Sequence, residues 1–182
     1  FTSNGPDNPP SWSTPGSGSA AYFRVATNVM GANDSSFTNN TYKNIMQAAT
    51  SKDSGTDMLI QTKMNFAYGV LNDTDENGGT NVYFKIMRRI GTSGTWNQVG
   101  QELALINLDA TASTLSGGML LNAFAGEDVP DDSINTTTAS PSAPIYYAVW
   151  AKYVKVGGDS LTVPHLRVLK GSSIIVTEFG RR

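Results

Sequence analysis

The chain has no cysteine at all and a single histidine in 182 residues. The first absence removes disulfides, thiolate nucleophiles and every cysteine-based zinc site, and it leaves the redox compartment undetermined. Charge is scarce as well, at 15% of residues, with 13 basic against 15 acidic side chains and a formal net charge of -2. A chain so balanced offers no electrostatic footprint for a phosphate backbone, so nucleic acid is not an expected partner. No apolar run reaches the length of a membrane-spanning helix, and the first residues lack the basic and apolar regions of a signal peptide, so membrane insertion is not expected either. The chain opens on Phe1 rather than Met, as a part of something longer would.

What is present is Ser, Thr, Asn and Gly between short apolar runs. Residues 1–20 carry Pro6, Pro9, Pro10 and Pro15, then Gly16, Ser17, Gly18 and Ser19, and read as an extended linker or arm with one aromatic anchor, Trp12. Residues 21–182 read as one all-β domain, because β-branched and aromatic runs alternate with Gly, Asn and Asp clusters. Tyr22–Met30 is the first candidate strand, and Tyr42–Ala48 suits either one helical turn or an edge strand. Met58, Ile60, Thr62, Met64, Phe66, Tyr68 and Val70 share one face of a period-two strand, with Gln61, Lys63 and Asn65 on the other. The Asn72–Thr80 loop then leads into Asn81–Ile90, and the two runs are expected to form a long hairpin.

Further strands are expected at Trp96–Leu108, Met119–Phe124, Ile145–Val156, Leu161–Leu169 and Ser172–Phe179, with a long loop over residues 126–142. A total of about eight suits an antiparallel jelly-roll sandwich, while an immunoglobulin-like sandwich of about seven is the rival. Ile145–Val154 is apolar on both sides: Ile145, Tyr147, Val149, Ala151 and Tyr153 on one, Tyr146, Ala148, Trp150 and Val154 on the other. An antiparallel strand normally wets one face, so a neighbouring copy is expected to cover Tyr146, Trp150 and Val154, with the 126–142 loop or the linker as the alternative cover. The last strand has the same two-sided pattern, which adds Ile174 and Val176 to the candidate interface of an oligomer.

Four segments carry a resemblance to a known group of proteins. Thr2, Ser3, Asn4, Gly5, Pro9, Pro10, Ser11 and Trp12 match a linker that recurs in bacteriophage tail fibres and related virion proteins before a C-terminal domain. VYFKIMRRIGTSGTW at Val82–Trp96, APIYYAVWAKYV at Ala143–Val154 and GSSIIVTEFG at Gly171–Gly180 resemble strands of such domains, with Glu178 at their acidic position. The resemblance implies a tumour-necrosis-factor-like jelly roll forming homotrimers on the virion surface, as the receptor-binding tip of a tail fibre. Such a tip would contact other virion proteins and a host-surface glycan or protein. A capsid decoration (cement) protein clamping neighbouring capsomers is the alternative. The long 126–142 loop departs from the pattern, and the group carries no shared catalytic set to transfer.

Candidates for chemistry are few, and the chain is read as no enzyme. His165 has no second histidine to make a zinc site and no G-x-S-x-G elbow to serve, and it reads as an ordinary strand residue. Asp73, Asp75, Asn77 and Gly78 reproduce the first half of a calcium loop, but the position of the closing Glu is Phe84. Bound Ca²⁺ would need donors from elsewhere, such as Glu127, Asp128, Asp131 and Asp132, and otherwise no cofactor is expected. A glycosidase would need two carboxylates at a set separation, and Glu102 and Glu178 read instead as surface or interface hydrogen-bond partners. Trp96, Asn97 and Gln98, after a Gly-rich turn, are the candidate glycan contacts. Arg88 and Arg89 are adjacent on a strand and so are expected to point to opposite faces.

Overall fold

The computed structural model describes residues 21–50, 56–71, 78–105, 115–125, 144–157 and 163–181. The expected linker at 1–20, the expected loop at 126–142 and the calcium candidates Asp73, Asp75 and Asn77 lie outside the described residues. The elements are all strands: β1 (Ala21–Val29), β2 (Lys43–Thr50), β3 (Thr56–Leu71), β4 (Gly78–Ile90), β5 (Asn97–Leu105), β6 (Leu115–Ala125), β7 (Ile145–Gly157), β8 (Val163–Val168) and β9 (Ser173–Arg181). Two antiparallel sheets result. One runs β1-β9-β3-β6 with β8 also on β3, and the other runs β2-β7-β4-β5. The segment that suited a turn of helix or an edge strand is an edge strand, β2.

The pairing is nested about the β4–β5 turn: β4 with β5, β3 with β6, β2 with β7, and β1 with β9. This amounts to one long folded ribbon, and rolling it adds the pairs β3·β9 and β4·β7 and produces two facing sheets. Such a rolled ribbon is the jelly roll. The expected long hairpin of β3 with β4 does not form, because the chain leaves one sheet and enters the other between them. Both strands carry a full apolar face, and the two faces meet across the core rather than lying side by side. Phe66 and Phe84 stand 5.2 Å apart between ring centroids, and Thr80 Oγ1 donates 2.7 Å to the Gly69 carbonyl where the sheets approach.

The core follows the period-two reading: Met58, Ile60, Met64 and Phe66 from β3 face Val82, Phe84 and Ile86 from β4 and Ile145, Tyr147 and Val149 from β7. Burying each large side chain stabilises the fold by about 1.5–3 kcal/mol. Ile174 and Val176 belong to this core, at 0% and 1% exposure. They are therefore not interface residues: their own subunit covers them, and β9 turns Ser173, Ile175 and Thr177 outward instead.

β8 and β9 do not fold back on each other. Both run antiparallel to β3, one beside residues 66–71 and the other beside residues 56–63, as a single line interrupted at Leu169–Ser172. The interruption is tied down by Ser172, whose Oγ accepts from the Asn65 N–H at 3.0 Å and donates to the Leu169 carbonyl at 2.8 Å. Gly171 takes φ +84 there, a left-handed value that favours glycine.

Candidate functional site

Cross-strand partners share a face, so the register of β2-β7-β4-β5 fixes what its outer side displays. Arg89 is opposite Tyr146, Met87 is opposite Ala148, Lys85 is opposite Trp150, and Tyr83 is opposite Lys152. Ala49, Gln47 and Asn44 extend the first three rows through β2, and Gln98 extends the Met87 row through β5. Trp96 enters from the turn before β5 and lays its ring 5.7 Å from that of Trp150, tilted by 59°. The Arg89 guanidinium then lies 4.7 Å from the Trp96 ring and 4.9 Å from the Tyr146 ring.

The second apolar face of β7 is thus covered in part by its own chain. Trp150 and Tyr146, expected under a neighbouring copy, are half-buried beneath Trp96 and Arg89, and Val154 is half-buried further along the strand. The candidate glycan trio divides. Trp96 and Gln98 join the outer face, whereas Asn97 is opposite Arg88, whose side of the strand turns towards the core. Arg88 and Arg89 do point to opposite faces, as alternation requires.

At the other end of the same face Tyr42 lies beneath two ammonium groups, with Lys85 Nζ 3.8 Å and Lys152 Nζ 4.6 Å from its ring centroid. Its hydroxyl donates to Glu102. Burial and the Glu102 carboxylate both push this phenol far above its ordinary range. Three cations, Arg89, Lys85 and Lys152, therefore share a face with Glu102, in a protein whose net charge is -2. Nothing in the linear spacing flagged Tyr42 or Arg89, since what joins them to the tryptophans is cross-strand register.

Beneath that face, Glu178 is fully buried, with Arg24 Nη1 3.5 Å from its Oε2. It is a core carboxylate, not a surface or interface partner. The Tyr147 hydroxyl, which donates 3.2 Å to Met58 Sδ, has its pKa pushed up to about 12, chiefly by burial, with Arg88 opposing and the Glu178 charge adding. His165 is half-buried on β8, its Nδ1 lacks a partner, and burial lowers its pKa against a weaker opposing hydrogen bond to the Gly69 backbone. Among the described residues no three His, Cys, Asp or Glu side chains gather as a metal site, and no helix is long and apolar enough to cross a membrane.

The opposite sheet has a different outer face. Val29 is 59% exposed, Val25 45%, Leu120 71% and Ile175 36%. Leu120 and Ile175 flank Lys63, Gln61 and Ser173 around a shallow recess of about 170 Å³.

These features define an all-β jelly-roll sandwich with one aromatic and cationic face and one exposed aliphatic face. No protein-family model matches the chain, and no curated protein matches it. Among solved structures it is similar to the structure of the infectious bursal disease virus Gx strain, at 14% identity and a TM-score of 0.46, over 97% of this chain and 39% of that one. The infectious bursal disease virus particle matches at 12% identity and a TM-score of 0.39, over 97% and 39% of the respective chains. The VP2 subviral particle of the same virus matches at 11% and 0.25, over 96% and 46%. The chain spans less than half the length of each of these proteins.

Proposed function

We propose that this chain is a non-enzymatic structural and binding module of a virus particle, the trimeric tip or receptor-binding domain of a phage tail fibre. The observation that carries this reading is the exposed aliphatic face of β1-β9-β3-β6. Val25, Val29, Leu120 and Ile175 stand on an otherwise regular sheet, where an isolated subunit would gain from polar side chains. A second copy of the chain covers these residues, and assembly leaves the aromatic face of β2-β7-β4-β5 free to meet a receptor through several weak contacts at once. The linker and strand segments that resemble tail-fibre domains support the same assignment. Three carboxylates that a hydrolase could have used are engaged otherwise: Glu102 by the Tyr42 hydroxyl, Glu178 by Arg24, and Asp34 by Lys43 at 2.6 Å.

Imaging of intact particles labelled at the C-terminus tests the assignment. Label at the distal ends of fibres is the expected result. Label spread over the shell would replace it with the cement-protein reading, and particles without label would remove the virion assignment altogether.

A further inference from the structure

We propose that Arg89, Trp96, Tyr146 and Trp150 form a binding site for a carboxylate-bearing sugar, an inference that rests on the receptor-binding reading and names its ligand class. Arg89 carries the argument. Its guanidinium is stacked against two aromatic rings at 4.7 and 4.9 Å, and no carboxylate among the described residues pairs with it. Its Nε is buried without a hydrogen-bond partner, as is Trp150 Nε1. Ring stacking satisfies the faces of a guanidinium but not its N–H edges, which want an anionic acceptor in the plane. A residue held so is pre-organised for a carboxylate, because the rings have already removed its freedom to swing away.

The neighbours favour a sugar over an acidic peptide. Indole and phenol rings pack on the apolar C–H face of a pyranose, and the Trp96 and Tyr146 rings lie next to the cation, at 4.7 and 4.9 Å. Gln47 and Gln98 are exposed at the two ends of the adjacent row, one on β2 and one on β5, with Met87 and Ala148 between them. Amide side chains both donate and accept, which is what neutral hydroxyls require and an isolated carboxylate does not. Lys85 and Lys152 add positive potential further along the face.

The test is titration of the assembled full chain, followed by tryptophan fluorescence, against glycans of the hexuronate and sialic-acid classes. Each is paired with its counterpart in which the carboxyl is reduced to an alcohol, and with a Glu-rich peptide as the competing chemistry. At least one carboxylated glycan should bind about ten-fold tighter than its reduced partner. R89Q should abolish that preference while leaving weak binding of the reduced glycan, R89K should restore part of it, and W96A should weaken both. Circular dichroism of each variant confirms that the fold is kept. Equal affinity for every carboxylated and reduced pair overturns the site but leaves a neutral receptor open to the tip reading. Carboxylate preference that survives R89Q, or tighter binding of the peptide, also overturns it. A retained preference in a chain that never labels particles would instead count against the virion assignment.

Discussion

A carboxylate with no exposed surface is costly in an all-β core, and Glu178 sits there with the Arg24 guanidinium 3.5 Å away. Arg24→Met leaves that buried carboxylate without the nearby guanidinium, so urea denaturation should show a loss of about 3 kcal/mol. Glu178→Gln removes the buried charge itself and leaves Arg24, which is partly exposed to water, so the loss should be smaller. His165 gives a pH signature of known sign. Burial lowers its native pKa below the ordinary 6.5, so the unfolded chain takes up the proton first. Stability is therefore complete above about pH 6.5 and falls as the pH drops below it towards the native pKa. Thermal melts between about pH 7.5 and about pH 5 should show this decline in the wild type and a shallower one in His165→Gln. Asp34 acts at more acid pH: burial would raise its pKa, but hydrogen bonds from Lys43 and Ser36 outweigh that and lower it below 3.8. Its stabilisation is lost only as the pH falls through that lowered value.

Among the elements, the strands themselves were legible because alternation is a local property of the chain. The faces of β3 and β4 came out as the residue pattern required, down to Thr62 as a buried polar member of the apolar row. Their partners were not legible. A strand with one greasy face is satisfied equally by a hairpin neighbour or by a facing sheet, and local sequence holds no term that separates the two. The same limit applies to β8 and β9, where Lys170–Gly171 marks a break without saying whether the chain reverses. The break depends on Ser172: with both the Asn65 N–H and the Leu169 carbonyl losing a partner, Ser172→Ala should cost about 1–3 kcal/mol by urea denaturation. The β4–β5 turn depends on Gly94, where an added Cβ would sit 2.2 Å from the Ile90 carbonyl oxygen. Gly94→Ala must shift that backbone, and a lowered melting temperature with loosened exchange protection at Asn97–Leu105 is expected.

For the whole molecule, the rolled ribbon brings β1 against β9 from opposite ends of the chain and leaves two unlike outer faces. If a second copy covers the aliphatic face, charge placed on it should dissociate the assembly without touching the core. Leu120→Asp with Ile175→Asp is expected to convert the oligomer to monomer in analytical ultracentrifugation while the strand signal in circular dichroism is unchanged. An assembly that survives both substitutions would place the contact elsewhere. The sequence points to self-association on the Tyr146 and Trp150 side of β7, and in the structure Trp96 and Arg89 of the same chain cover part of that side.

The amino-acid sequence alone determined that this is an all-β chain, which residues alternate inward, and that β7 is apolar on both sides. Those properties depend on neighbours two residues apart. Only the tertiary structure decided which strands pair, that Ile174 and Val176 belong to the core, that Glu178 is buried beside Arg24, and that Arg89 stands between Trp96 and Tyr146. Each of these depends on register between segments far apart in the chain, and a strand's own residues hold its periodicity but not the identity of what lies beside it.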